Sequence, residues 1–243
     1  MKVQKKIAIS FIRNKLNLMS LVSKRSAGRE AFRLFCTPLT RYKGPPAEIF
    51  KTAGPLEFIL DGNKIKGYRC NKAGTKKILI LHGFSSSCHK FDKYAATLIE
   101  KNYQVLAFDA PAHGASEGKT VNAVEYSEMI KKIVALYGPV DGFIAHSFGG
   151  IAISLALETM EHTPQTKLVL IAPATETSSA IDGAFSMLGI KKNRVRLSLD
   201  EHIFTVSGKH PAWYSIRRAI KNINASVLWV HDEEDLITPI KDV

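Results

Sequence analysis

The run FIAHSFGG, residues 143–150, passes from apolar residues through Ser147 into small ones. A serine hydroxyl is a useful nucleophile only when it is held in the open and a base relieves it of its proton. A strand that runs into a serine and straight on into a helix meets the first condition, because the tight turn exposes the side chain at the sheet edge. Gly149 occupies the second glycine position of a G-x-S-x-G turn, and Ala145 stands in place of the first. A serine just before a helix also serves as its cap, so the octapeptide alone leaves both roles open. Three further segments tip the balance toward chemistry. HGFSSS at 82–87, DAPAHGAS at 109–116 and HDEEDLITP at 231–239 each come after an apolar run that reads as a strand.

The elements that must carry these segments alternate along the chain. Leu56–Leu60 and Lys64–Arg69, parted by Asp61-Gly62-Asn63, give a hairpin signal. After Gly74, KKILIL is a short continuous apolar run, as expected of a strand buried on both faces. Residues 91–101 then read as a helix, YQVLAFDAP as a strand and 121–137 as an amphipathic helix. VDGFIAH, the helix GGIAISLALETM, TKLVLIAP and SVLWVHD complete the series. Strand and helix in alternation predict an α/β protein with a mostly parallel, doubly wound sheet, whose ligands bind at the carboxyl ends of the strands. All four polar segments fall at that edge. Residues 174–224 are less periodic and are expected to form a small helical insertion.

Composition narrows the function classes. The formal charge of +12 is uneven: residues 1–45 hold 11 Lys/Arg against Glu30 alone, and the rest carries 23 basic and 21 acidic residues. The body is nearly neutral, without a basic patch interleaved with aromatics, so nucleic acid is not an expected partner. Val3, Ile7, Phe11, Leu18 and Val22 recur at helical spacing among lysines and arginines. Residues 1–45 therefore read as a basic amphipathic extension to a domain over 46–243. Its first 35 residues either lie on an anionic membrane surface or pack on the protein itself. The apolar stretch at 7–12 is too short to span a membrane and lacks a signal-peptide cleavage site. Cys36, Cys70 and Cys88 show no metal or disulfide spacing, which suits a reducing, cytoplasmic setting. No metal-ligand or nucleotide motif is present, so neither a metal nor a cofactor is expected.

Taken in order, His82-Gly-Phe84, Asp109-x-Pro-x-His-Gly-x-Ser116, Ala145-His-Ser-Phe-Gly149 and Asp235-Leu-Ile-Thr-Pro239 resemble the α/β-hydrolases of the esterase, lipase and S33-peptidase type. The resemblance runs from about residue 55 onward. It implies the α/β-hydrolase fold, with Ser147 as nucleophile, the backbone N–H groups of Phe84 and Phe148 as the oxyanion hole and Asp235 as triad acid. Asp232, Glu233 and Glu234 compete for the acid's role. It also implies residues 174–224 as a cap, and a small-molecule acyl substrate: an ester, thioester or amide. Phe84, Phe148, Phe185 and Met187 favour a hydrophobic acyl group. Peptidase, acyltransferase, cofactor-free haloperoxidase and a non-catalytic binding protein are the other readings. The triad histidine should come after Asp235 by one more helix and strand, and none stands there in these residues. His82 and His113 read as loop-shaping, and His146 adjoins the nucleophile on a sharp turn. His231, His202 and His210 are weak substitutes, and His89 and His162 read as surface residues. The expectation is of a chain that continues past Val243 to supply the base.

Overall fold

The computed structural model describes residues 2–42, 44–190 and 194–243. Its strands are β1 (Gly54–Leu60), β2 (Asn63–Cys70), β3 (Lys76–Leu81), β4 (Tyr103–Phe108), β5 (Gly142–His146), β6 (Lys167–Ile171) and β7 (Ser226–Val230). The helices are α1 (Lys2–Val22), α2 (Lys24–Phe35), α3 (Glu48–Lys51), α4 (Asp92–Glu100), α5 (Ala123–Tyr137), α6 (Phe148–Leu157), α7 (Thr177–Met187), α8 (Arg194–Ser207) and α9 (Ile216–Ala219). They form two compact units, one of Pro38–Thr175 with Ile216–Val243, the other of Met1–Thr37 with Glu176–Ser215.

The larger unit is built on one sheet in the order β1-β2-β4-β3-β5-β6-β7. β1 pairs antiparallel with β2 as the expected hairpin, β2 pairs antiparallel with β4, and the other pairings are parallel. The central strands are buried on both faces because their side chains alternate between two helical layers. Cys70, Ile80, Val105 and Ala107 point to one layer, where Phe50, Cys88, Phe91 and Ala95 meet them. Leu79, Leu81, Leu106 and Phe143 alternate with that set and are buried too, on the face that right-handed crossovers give to the packed pair α5 and α6. α5 begins with a full capping box. Asn122 Oδ1 accepts from Val124 N and Glu125 N, and Glu125 Oε2 accepts from Asn122 N.

This winding has a switch point. β3 and β5 are neighbours, yet the chain leaves β3 through α4 toward β4 and leaves β5 through α6 toward β6. Two connections that part in opposite directions leave a crevice at the carboxyl ends of the strands between them. The segment 82–87 follows β3 at that switch point and Ser147 follows β5.

The smaller unit is helical. α1 and α2 pack on each other and on α8. Residues 24–35 form the regular helix α2, whose cap Ser23 accepts from Ser26 N at 3.2 Å. Gly28 lets α2 meet α8 closely, since a Cβ there would lie 2.1 Å from the Ser198 carbonyl oxygen. Among the described residues no helix is long and apolar enough to cross a membrane.

Asn122→Ala removes both capping bonds that Asn122 accepts and should lower stability by about 1 kcal/mol, read as a shift in the denaturant midpoint at unchanged slope.

Candidate active site

Ser147 joins β5 to α6 at φ 50°, ψ −116°, a conformation that L-residues rarely adopt and that costs on the order of 1–3 kcal/mol. Its side chain makes no capping bond to the helix, so the alternative role open at the sequence level is not realised. The strain is held in place by close packing. A Cβ on Gly149 would lie 2.7 Å from Leu81 O and 2.9 Å from His82 O, and one on Gly150 would lie 2.6 Å from Pro173 Cβ. Ser147 N donates to Ile171 O, and Ser147 O accepts from Gly150 N and Ala174 N. The backbone is pinned on three sides, and the hydroxyl is half-buried without a hydrogen bond among the described residues.

The 82–87 turn lies directly alongside. A Cβ on Gly83 would fall 3.1 Å from Ser147 Cβ and 2.8 Å from His146 Nδ1. Phe84 and Phe148 meet edge to face, with ring centroids 5.4 Å apart. Neither the Phe84 nor the Phe148 N–H has an acceptor among the described residues. Two free donors therefore accompany the serine, one from the turn after β3 and one from the start of α6.

Two histidines set the orientation of that turn. His82 Nε2 accepts from Ala110 N at 2.9 Å, so the ring carries its proton on Nδ1, which donates to Gly83 O at 2.8 Å. Fixing the Gly83 carbonyl aims the Phe84 N–H the opposite way across the same planar peptide. His113 Nε2 accepts from Ser85 N at 2.9 Å, and its Nδ1 donates to Pro111 O at 2.9 Å. Each ring is a neutral tautomer with both nitrogens engaged. Burial pushes the pKa of both down, that of His113 to about 4, with the mutual proximity of the pair adding to the shift for His113. Asp109 anchors the same loops from below. Its Oδ1 accepts from Cys88 N and its Oδ2 from Ala115 N, each at 2.9 Å, while its carbonyl accepts from Ser116 Oγ at 2.6 Å.

Asp235 stands on the loop after β7, half-buried. Partial burial raises its pKa, but bonds from Thr238 N, Ile237 N and the Thr238 hydroxyl, with His231 nearby, outweigh this and hold the carboxyl below its ordinary value. Thr238 Oγ1 also lies 3.3 Å from Ala172 O, which ties this loop to the residue after Ile171, the partner of Ser147 N. Asp232 and Glu234 lie on the exposed side of the loop, Asp232 Oδ1 accepting from Glu234 N, and Glu233 is exposed.

The remaining histidines divide clearly. His231 sits between Trp229 Nε1 and Thr238 O, and His162 between Asn224 N and Met160 O, so both rings are committed. His89 is a correction to the sequence reading. It is not on the surface but 9 % exposed, boxed by Tyr42, Phe50 and Tyr68 at centroid distances of 5.2–5.3 Å. His202 and His210 belong to the smaller unit, against Phe32 and Phe204. His146 is half-buried beside Phe91; burial lowers its pKa and Asp235 opposes that shift. Phe185 is buried in the smaller unit, and Met187 is 74 % exposed.

Sequence reasoning passed over one feature. Residues 39–41 strap the site loops: Leu39 N donates to Ser85 Oγ at 2.9 Å, Thr40 Oγ1 to Ser85 O at 3.1 Å and Arg41 Nε to Gly114 O at 2.9 Å. No periodicity marks such a strap. Among the described residues, the one set of donors suited to a metal is Cys88, His89 and Asp109, with ligand atoms within 4.8 Å of one another. Both Asp109 oxygens already accept backbone N–H groups, and burial pushes the Cys88 thiol well up, which fits a loop-holding group.

The sequence model of the serine aminopeptidase S33 family matches residues 73–203, more than half of the chain. The chain belongs to this family of α/β-hydrolases. A Bacillus subtilis uncharacterized hydrolase, YugF, is 28 % identical over 109 residues, covering 43 % of this chain and 40 % of that protein. A serine hydrolase-like protein of Dictyostelium discoideum is 24 % identical over 168 residues, covering 67 % and 44 %. The chain thus spans less than half the length of either relative. Among solved structures, the Pyrococcus furiosus esterase Pf2001 superposes with a TM-score of 0.63 at 19 % identity, covering 85 % of this chain and 81 % of that one. The thioesterase domain of the curacin biosynthetic pathway does so at 0.56 and 14 %, covering 79 % and 87 %. At these identities the S33 family member shares the fold with them. The matched region includes Ser147 and stops short of Asp235.

In this hydrolase-family chain His113 accepts a proton far less readily folded than unfolded. Its contribution is neutral above the ordinary histidine pKa near 6.5, and stability falls as the pH drops toward 4, by about 3 kcal/mol for a shift of this size. His113→Gln, which keeps an acceptor but does not titrate, should flatten that limb in denaturant midpoints measured from pH 7 to 4.

Proposed function

We propose that this protein is a serine hydrolase that cleaves a carboxylic ester, thioester or amide through an acyl-enzyme on Ser147. The single observation that carries the reading is the strained serine at φ 50°, its hydroxyl unengaged, between two N–H groups that have no acceptor among the described residues. Capping or packing needs no such conformation. A turn that presents an oxygen to a carbonyl does, and donors placed before the reaction stabilise the oxyanion that forms beside it.

The steps derive from that arrangement. Ser147 Oγ attacks the acyl carbon as its proton passes to an imidazole. The carbonyl π pair moves onto oxygen, between Phe84 N and Phe148 N. The tetrahedral intermediate collapses as the imidazolium protonates the leaving alkoxide, thiolate or amine. Water, deprotonated by the same imidazole, then releases the acid and restores the serine. Asp235, kept ionised by its three hydrogen bonds, holds the imidazole in one tautomer and stabilises its protonated form.

Four histidines of the described residues are not free to be that imidazole. The rings of His82, His113, His162 and His231 already use both nitrogens. The facing rings of Phe84 and Phe148 favour a hydrophobic acyl group. The activities named for the family and its structural neighbours, aminopeptidase, esterase and thioesterase, define the panel: p-nitrophenyl esters of rising chain length, acyl thioesters and aminoacyl amides.

A fluorophosphonate probe should label Ser147 in a chain extended past Val243, and Ser147→Ala should abolish both labelling and turnover. Failure of both the 243-residue and the extended form to label would overturn the reading in favour of a binding protein. Gly83→Ala, which crowds Ser147 and displaces the Phe84 N–H, should lower kcat on the order of 10²-fold with little change in KM, the signature of a lost oxyanion donor.

A further inference from the structure

α1 has two apolar sides. One is used inside the smaller unit: Leu16 and Ser20 are buried at 1 % and 6 %, and the helix packs on α2 and α8. The other side is open. Ile7, Phe11, Leu18 and Val22 are spaced at i, i+4, i+11 and i+15, which at 100° per residue places them within about 60° of arc, and Leu21 lies beside them. Their exposures are 64 %, 68 %, 65 % and 82 %, with Leu21 at 67 %. Single exposed apolar residues are ordinary on protein surfaces, whereas five in one stripe mark a contact.

The surrounding charge states what the contact is with. Lys6 and Lys15 flank the stripe, about 100° to one side and about 80° to the other. Lys6 forms no ion pair among the described residues, and residues 1–45 together carry 11 Lys/Arg. The one acid of the first 45 residues, Glu30, is already spent: it lies 2.8 Å from both Lys15 and Arg33, and its pKa is lowered to about 2, chiefly by the Arg33 hydrogen bond. A second copy laid on this face would bring two net cationic surfaces together. An anionic lipid surface offers apolar depth to the stripe and counter-charge to its flanks.

We infer that α1 is a membrane-surface anchor, lying in the plane of an anionic bilayer with Ile7, Phe11, Leu18, Leu21 and Val22 inserted among the acyl chains and the lysines and arginines at the headgroups. The helix lies on the bilayer and does not cross it. The inference is independent of the proposed chemistry at Ser147.

Sedimentation of the full 243-residue chain with vesicles tests it. Vesicles of phosphatidylcholine with roughly 30 % phosphatidylglycerol should bind at least about 10-fold more tightly than phosphatidylcholine alone, and about 0.5 M salt should remove most of that preference. The double substitution Phe11→Glu with Leu18→Glu should weaken binding to anionic vesicles about 10-fold or more while leaving the circular dichroism and the unfolding midpoint unchanged, since both residues are exposed. Lys6→Gln with Lys15→Gln, the two lysines that flank the stripe, should weaken the anionic preference. Absence of vesicle binding, equal binding to both compositions, or binding that survives the double substitution would overturn the inference. A dimer seen by light scattering and dissolved by the same double substitution would assign the stripe to a second copy instead.

Discussion

The structure depends on a steric fact at the carboxyl edge of the sheet: backbone meets backbone where no side chain fits. Gly149 touches the carbonyls that end β3, Gly150 touches Pro173, and Gly83 touches Ser147 and His146. Because these three positions carry no Cβ, α6 can start hard against β3 and β6, and the residue between β5 and α6 is forced to positive φ. The strain at Ser147 is offset by the burial of the helix it opens. All of α6 from Gly149 to Leu157 is buried, and burying one large aliphatic side chain contributes about 1.5–3 kcal/mol. The turn is thus held from outside itself, which is how a strained residue persists at a working edge.

A second constraint governs the polar groups beneath that edge. A neutral imidazole offers one donor and one acceptor, and here both are consumed in joining loops. His82 links the 82–87 turn to Ala110, and His113 links Ser85 to Pro111. Asp109 closes the ring by accepting from Cys88 and Ala115. A nitrogen that accepts from a backbone N–H cannot also accept a substrate-bound proton. These histidines exchange basicity for rigidity, and their burial, which disfavours the charged ring, enforces it.

Much of this was legible in the residues, and the part that was not has a physical reason. Continuous apolar runs such as KKILIL and small residues such as those of HSFGG report local demands, burial on two faces and close approach, that are recoverable from the chain alone. Contacts between distant segments leave no such mark. The box of Tyr42, Phe50 and Tyr68 turns His89 from a surface residue into a buried one, and the strap at residues 39–41 lies on loops 45 or more positions away. The packing of α1 and α2 on α8 is of the same kind. Its signal at Gly28 is a lone glycine within a helix, which local reasoning takes for a weak helix former and which the fold uses as a docking point against Ser198.

His146 shows how adjacency and reach differ. It neighbours Ser147 in the chain, and a carboxylate acts on it, since Asp235 opposes the fall in its pKa. Alternation along β5 nevertheless sends its ring toward Phe91 and α4, the side that also receives Ile144. The peptide at Ser147 then reverses the course of the backbone, so consecutive side chains leave the turn in different directions. Asp235 meanwhile is held ionised by three hydrogen bonds from its own loop, an arrangement that maintains a fixed negative charge at the strand ends whether or not an imidazole is present. The carboxylate after β7 and the strained serine between β5 and α6 are thus each fixed by hydrogen bonds and packing of their own loops, before any ligand arrives.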